Sequence, residues 1–80
     1  MYITNETMEC TSKGFTIYYE EEAGYIRGVK SPEGETSEDV DYVDGTDCEV
    51  EYSVKFSNYS IIIIAGLDSD GYITDVCVLW

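Results

Sequence analysis

The segment from Asp47 to Ser57 alternates between apolar and polar side chains at every position. Successive side chains of a β-strand point to opposite faces, so this pattern predicts a strand with one face in the core and the other in water. The apolar face comprises Cys48, Val50, Tyr52, Val54 and Phe56. The polar face comprises Asp47, Glu49, Glu51, Ser53, Lys55 and Ser57. Any fold of this chain must therefore bury one side of the strand and leave an acidic side exposed.

The next segment, Tyr59 to Leu67, contains four consecutive isoleucines from Ile61 to Ile64. Such a β-branched run, apolar on both faces, predicts a central strand covered on both sides by a second sheet layer, a barrel wall or a helix. Asp68-Ser69-Asp70-Gly71 is a typical hairpin turn, and Tyr72 to Trp80 is expected to return as the last strand.

The N-terminal half predicts three further strands separated by turns. The strands are Met1 to Cys10, Phe15 to Glu21 and Tyr25 to Lys30, with turns at Ser12-Lys13-Gly14 and Ala23-Gly24. The third strand carries Arg27 and Lys30, which we expect to balance the charges of Glu20 to Glu22.

The segment from Ser31 to Asp47 interrupts the β pattern. It opens with Pro32 and Gly34 and closes with Asp44-Gly45-Thr46-Asp47, so it is expected to form a long loop. Within it, Thr36 or Ser37 could cap a short helix that runs to Val43 and ends before Gly45. The sequence leaves the helix and the plain loop as open alternatives.

These elements together predict the fold class. Residues 1–80 are long enough for a single acidic β domain. We expect an all-β fold of five to six antiparallel strands, as a small sheet that is barrel-like or two-layered, with one long acidic loop. If the short helix forms, the class becomes α+β.

Acidic residues dominate the composition, with 17 Asp and Glu against 4 Lys and Arg and a net charge of -13. Nine of the acids fall between Glu33 and Glu51, where no basic residue occurs. Such a charge disfavours direct binding to nucleic acid and favours a basic partner.

Few residues suit catalysis. The chain has no histidine, no glycine-rich phosphate loop and no Cys-x-x-Cys, so we predict neither enzymatic activity nor a cofactor nor a metal site. Cys10, Cys48 and Cys77 are expected to be small buried residues within strands, the alternative being one disulfide and one free thiol.

One short motif resembles a calcium site. Asp68-x-Asp70-Gly71-x-Ile73 is similar to the middle of an EF-hand loop, but Gly66 and Cys77 stand where that family has its first and last acidic ligands. The hairpin interpretation is therefore preferred, and a Ca²⁺-dependent binding domain is kept as an alternative.

Acids two positions apart point the same way on an extended chain, about 6.5 to 7 Å apart, a separation comparable to that of successive phosphates. Rows of such acids could imitate a nucleic-acid backbone and dock on a basic groove. The predicted partner-binding residues are Glu20, Glu22, Glu33, Glu35, Glu38, Asp39, Asp41, Asp44, Asp47, Glu49 and Glu51.

In size, charge and lack of catalytic groups, the chain resembles the small acidic inhibitors made by phages and mobile elements, which block restriction enzymes, CRISPR effectors or repair glycosylases. The resemblance is one of type and assigns no residue roles. It implies a DNA-mimicking inhibitor of a nucleic-acid-binding enzyme or complex. No signal peptide or membrane helix is recognised in the sequence, so a cytoplasmic location without membrane contact is expected.

A different class of function also fits the sequence. Exposed aromatic side chains could support an oligomerising or structural module, and a homodimer is left open. The aromatic residues are Tyr18, Tyr19, Tyr25, Tyr59, Tyr72 and Trp80.

The charge imbalance predicts that salt stabilises the fold. Raising NaCl from about 0.01 M to about 0.15 M shortens the range of charge interactions from about 30 Å to about 8 Å. We expect the melting temperature, followed by circular dichroism, to rise by several degrees, since about 1 kcal/mol corresponds to about 4 to 8 °C in a domain of this size. A melting temperature that stays constant or falls would contradict net repulsion.

Overall fold

A computed structural model describes residues 7–20 and 25–79, which form eight strands in two four-stranded antiparallel sheets. The first sheet contains β1 (Thr7–Ser12), β2 (Phe15–Glu20), β3 (Tyr25–Lys30) and β4 (Thr36–Ser37). The second contains β5 (Val40–Gly45), β6 (Glu49–Lys55), β7 (Ser60–Leu67) and β8 (Ile73–Val78). Neighbouring strands follow chain order in both sheets. The all-β class is confirmed, and these residues include no helix long and apolar enough to cross a membrane.

The short helix predicted from Thr36 or Ser37 to Val43 is wrong, and so is the long loop. The segment forms β4 and most of β5, in which Val40 pairs with Val54 and Tyr42 with Tyr52. Because β-branched and aromatic residues pack well on a pleated sheet, pairing with β6 outweighs the local capping pattern. Splitting this segment into two strands also raises the strand number above the five to six predicted.

The turn between β1 and β2 occurs where the sequence predicted it. Lys13 and Gly14 both have positive φ angles, 52° and 83°, as a two-residue type I′ hairpin requires. Strand β1 runs from Thr7 to Ser12 instead of ending at Cys10. The predicted beginning of this strand at Met1 and the turn at Ala23-Gly24 lie outside the described residues.

A single hydrophobic core lies between the two sheets. Inward side chains of β2 and β3 meet those of β6, β7 and β8, and the most deeply buried include Ile17, Val29, Val54 and Ile63, all at 0% exposure. The prediction for β7 is only half right. Ile61 and Ile63 are buried, but Ile62 and Ile64 are half-buried, because the core covers one face of this sheet and no further described layer covers the other.

Side chains join the edges of the two sheets. Ser12 Oγ on β1 accepts a hydrogen bond of 3.0 Å from the backbone N–H of Val78 on β8, and the Cys10 thiol donates to the Val76 carbonyl at 3.7 Å. Elsewhere between the sheets, Ser37 Oγ on the edge strand β4 donates to the carbonyl of Lys55, at the end of the inner strand β6. The bonds of Ser12 and Cys10 satisfy groups of the edge strand β8 that would otherwise be free to pair with another chain.

The edge contact at Ser12 generates a stability prediction. Ser12→Ala leaves the Val78 N–H without its acceptor, so we expect unfolding free energy to fall by about 1 to 3 kcal/mol. Urea denaturation followed by circular dichroism measures this. Thr11→Ala, at the neighbouring exposed position of β1, is the matched control and should change stability by less than about 0.5 kcal/mol. Equal losses of unfolding free energy in the two variants would show that the hydrogen bond from Val78 to Ser12 does not contribute to stability.

Candidate functional site

The outer face of the β5 to β8 sheet carries carboxylates from adjacent strands. Glu49 and Glu51 point away from the core because Tyr52 and Val54, at the alternate positions of β6, point into it. On β5, Asp44 lies directly opposite Glu51. Neighbouring strands are about 4.8 Å apart, so these two carboxylates are close neighbours.

A β-bulge in β5 determines which acids share this face. The register shifts between Tyr42 and Asp44, so that Val43 is the extra residue. In a regular strand, positions 41 and 44 would point to opposite faces. The bulge instead lets both Asp41, opposite Ser53, and Asp44 face outward.

Asp75 on β8 adds a carboxylate that the sequence analysis missed. Gly66 on β7 pairs with Glu49 on one side and Asp75 on the other. The Asp75 carboxylate leans over Gly66, where any side chain would collide with its Oδ1 atom, and accepts a hydrogen bond of 3.2 Å from Thr74 Oγ1. In the sequence, Asp75 lies nine residues after Gly66, on the other strand of the predicted hairpin. The sequence alone does not give the register that pairs these two residues.

Two acidic turns complete the same end of the sheet. The turn after β5 carries Asp47, and the turn after β7 carries Asp68 and Asp70; the Leu67 N–H donates to the Cys48 carbonyl at 2.7 Å and holds the two turns side by side. Between them lies an open depression of about 680 Å³. We define the acidic end as Asp44, Asp47, Glu49, Glu51, Asp68, Asp70 and Asp75.

The acidic end contains no basic side chain. Lys55, on the same sheet, is six residues from Glu49 along β6, about 20 Å away. Within residues 7–20 and 25–79, no carboxylate of the acidic end forms an ion pair. Like charges opposite each other on a sheet, such as Asp44 and Glu51, are destabilising, so the fold carries an electrostatic cost at this end.

The structure separates the predicted partner-binding residues into groups. Glu33 and Glu35 lie at the opposite end of β6, where Glu35 accepts from Ser57 N at 2.9 Å and Ser57 Oγ at 3.0 Å. Glu33 accepts from the Tyr59 hydroxyl at 3.2 Å. Partial desolvation of the phenol and the charge of Glu33 raise the pKa of Tyr59. These two acids therefore stabilise the turn after β6.

The remaining predicted residues are also divided. Glu38 and Asp39 lie between β4 and β5, where the backbone N–H of Lys55 donates to the Asp39 carbonyl at 3.0 Å. Asp47 precedes β6, so the expected row of three acids on one strand is reduced to Glu49 and Glu51.

Glu20 is not part of any exposed acidic surface. Its side chain is buried in the first sheet, where Oε1 accepts from Arg27 Nε at 2.9 Å and from Thr7 Oγ1 at 3.1 Å. The expected charge balance between Arg27 and this acid is confirmed. Glu22 lies outside the described residues.

The turn from Asp68 to Gly71 has the hydrogen bonding of a hairpin. Asp68 Oδ1 accepts from the N–H groups of Asp70 at 2.9 Å and Tyr72 at 3.0 Å, and Gly71 has the positive φ of 85° that the turn needs. Across the described part of the chain, no three acidic or cysteine side chains are grouped so that they could hold a metal ion. The carboxylate of Asp68 thus stabilises the turn by accepting these two hydrogen bonds.

The tyrosines do not form one patch. Tyr19 belongs to the core and Tyr18 is half-buried. Tyr59 and Tyr72 are exposed, but they lie at opposite ends of β7. Trp80 lies outside the described residues, so the arrangement gives the oligomerising alternative no specific support.

Comparison of the chain with protein-family models, with curated proteins and with solved structures returns no match.

The cysteines differ from the sequence prediction. All three are free, and Cys48 and Cys77 are exposed instead of buried, while Cys10 is half-buried at the junction of β1 and β8. Cys48 lies outside β6, whose first residue is Glu49, and Cys77 points to the outer face of β8. Burial, followed by the charges of Asp75 and Cys77, raises the pKa of the Cys10 thiol.

These environments predict unequal alkylation. At about pH 8, Cys10 should react with iodoacetamide at least about tenfold more slowly than Cys48, because it is less accessible and its raised pKa leaves less thiolate, the reactive form. Mass spectrometry of timed samples gives the rate at each site. The difference between the alkylation rates of Cys10 and Cys48 should narrow as pH rises and vanish in denaturant. Equal rates in the folded protein would contradict the burial of Cys10.

Proposed function

We propose that this protein is an acidic interaction domain that binds a basic surface of a nucleic-acid-handling protein and competes there with nucleic acid. The observation that carries the proposal is the acidic end, a group of carboxylates on one sheet that form no ion pair with any described residue. Charges of one sign that lack a partner inside the molecule favour a complementary surface outside it.

The rigidity of the strand that carries Glu49 and Glu51 supports recognition by this surface. Glu49 and Glu51 lie on a strand that is hydrogen-bonded on both sides, to β5 and to β7. The separation of side chains two residues apart on such a strand is fixed at about 6.5 to 7 Å. A row of fixed negative charges at that separation is a suitable imitation of a phosphate backbone, because no ordering of a loop is needed when the partner binds.

The proposed class is an inhibitor of the kind that phages and mobile elements use against restriction or CRISPR systems. The mechanism is steric and electrostatic competition, so the protein needs no catalytic group of its own. It requires instead that the partner's groove be lined with Lys and Arg, which is the general property of nucleic-acid sites.

Charge reversal tests the proposal. Glu49→Lys with Glu51→Lys should weaken partner binding at least tenfold, since close charge pairs across an interface contribute about 1.5 kcal/mol or more. Binding is measured by capture of host proteins on the immobilised domain, with identification by mass spectrometry and titration of the purified partner. The new lysines face Asp44 and Asp75, so the fold should be retained, and thermal melting checks this.

The matched control is Glu9→Lys with Asp39→Lys, which changes net charge equally at exposed positions on β1 and between β4 and β5. Only the first pair should abolish binding if the acidic end is the site. Binding should also decrease steeply between about 50 and 200 mM salt, and DNA should displace the protein from its partner. A partner that binds DNA and this protein together, or that binds equally well at high salt, would refute the proposal.

A further inference from the structure

An apolar stripe adjoins the acidic end on the same sheet face. Ile62 and Ile64 of β7 point outward and are half-buried only by their neighbours in the sheet. Leu79, just after β8, is 51% exposed, and its N–H donates to the Ile62 carbonyl at 2.7 Å, which sets the two side by side. Aliphatic side chains on an outward face are unusual in an otherwise acidic surface and indicate a contact area.

Carboxylates border this stripe. Across the sheet, Ile64 lies between Glu51 on β6 and Cys77 on β8, and Asp44 lies beyond Glu51. Along β7, the next outward position is Gly66, which Glu49 and Asp75 flank. Negative charge therefore lies beside Ile64 and beyond the Gly66 end of the stripe, whereas Ile62 has Ser53 as its neighbour on β6.

We propose that this face receives an amphipathic helix of the partner, with apolar residues on the stripe and Lys or Arg against the acidic end. The inference rests on the proposed function and names the site and the kind of segment that binds there. Charge complementarity selects the occupant, because a second copy of this chain would bring the same carboxylates against Glu49 and Glu51.

The geometry of the sheet face favours a helix as the secondary structure of the partner's binding segment. Backbone groups of β6 and β7 are used within the sheet, so its face offers only side chains and cannot accept an added strand. The outward side chains of Ile62 and Ile64 are about 6.5 to 7 Å apart along β7, close to the separation of about 5 to 6 Å between residues one turn apart on a helix. A helix can thus place successive apolar residues on the stripe while its flanks present basic side chains.

The test uses a defined probe, a synthetic helical peptide of Leu and Lys with its leucines on one face. A peptide of the same composition with the leucines distributed around the helix is the peptide control. Both are titrated by calorimetry against the wild-type protein and against Ile62→Thr with Ile64→Thr. Threonine keeps the β-branched shape at these half-exposed positions, so the fold should be retained. Leu79→Ser, outside any strand, is a second variant that leaves the sheet unchanged.

Met8→Thr with Tyr25→Thr is the matched protein control, because both side chains are exposed on the other sheet. We expect the Ile pair to weaken the amphipathic peptide about tenfold or more, Leu79→Ser to weaken it several-fold, and the control pair to leave it unchanged. The control peptide, with its leucines distributed around the helix, should bind the wild-type protein more weakly than the amphipathic peptide does. Its affinity should be the same for the wild type and for the apolar-stripe variants.

Other outcomes would overturn the inference in distinguishable ways. If Glu49→Lys with Glu51→Lys abolishes binding but the Ile pair does not, the acidic proposal stands and the helix site is wrong. If neither pair matters, both are wrong. A dimer seen by sedimentation in about 0.5 M salt and lost in the Ile pair would identify a second copy as the occupant and exclude the helix.

Discussion

The interaction on which the rest of the structure depends is the packing of the inward side chains of β6 and β7 against those of the first sheet. Tyr52, Val54 and Ile63 are buried there, and each fully buried side chain of this size contributes about 1.5 to 3 kcal/mol. Opposed carboxylates such as Asp44 and Glu51 cost about 0.2 to 1 kcal/mol each. The free energy gained by burying these side chains therefore exceeds the cost of charge repulsion on the other face of the same strands. The fold can tolerate the concentration of acids for this reason.

The same alternation that builds the core also positions the site. Since every inward residue of β6 fixes its neighbours outward, the apolar side chains hold Glu49 and Glu51 in place without contacting them. The bulge at Val43 extends this arrangement to β5 by returning Asp44 to the outer face. Ser12 and Ser37 bind backbone groups of the facing sheet, so side-chain hydrogen bonds join the two sheets in addition to the core.

The sequence was informative wherever one local pattern decided the outcome. The alternation of β6, the hairpin at Asp68 to Gly71 and the turn at Lys13 and Gly14 were predictable because each depends on adjacent residues. The segment from Thr36 to Val43 was not, because its capping residues favour a helix and only pairing with a distant strand makes it β. Asp75 was missed for a related reason. Its position beside Glu49 depends on the register of two strand pairs, which no single segment encodes.

The combination of acids and apolar residues on one face is more informative than either alone. Charges act over about a Debye length and chiefly raise the rate at which a partner arrives. Aliphatic contacts act only when surfaces touch, so they chiefly slow departure. A face used only for solubility would need the acids but not Ile62 and Ile64, whereas a face used only for assembly of this chain would not place carboxylates beside Ile64 and around Gly66. The arrangement on β6 and β7 is the basis for the proposed partner, which charge would attract and apolar contact would then retain.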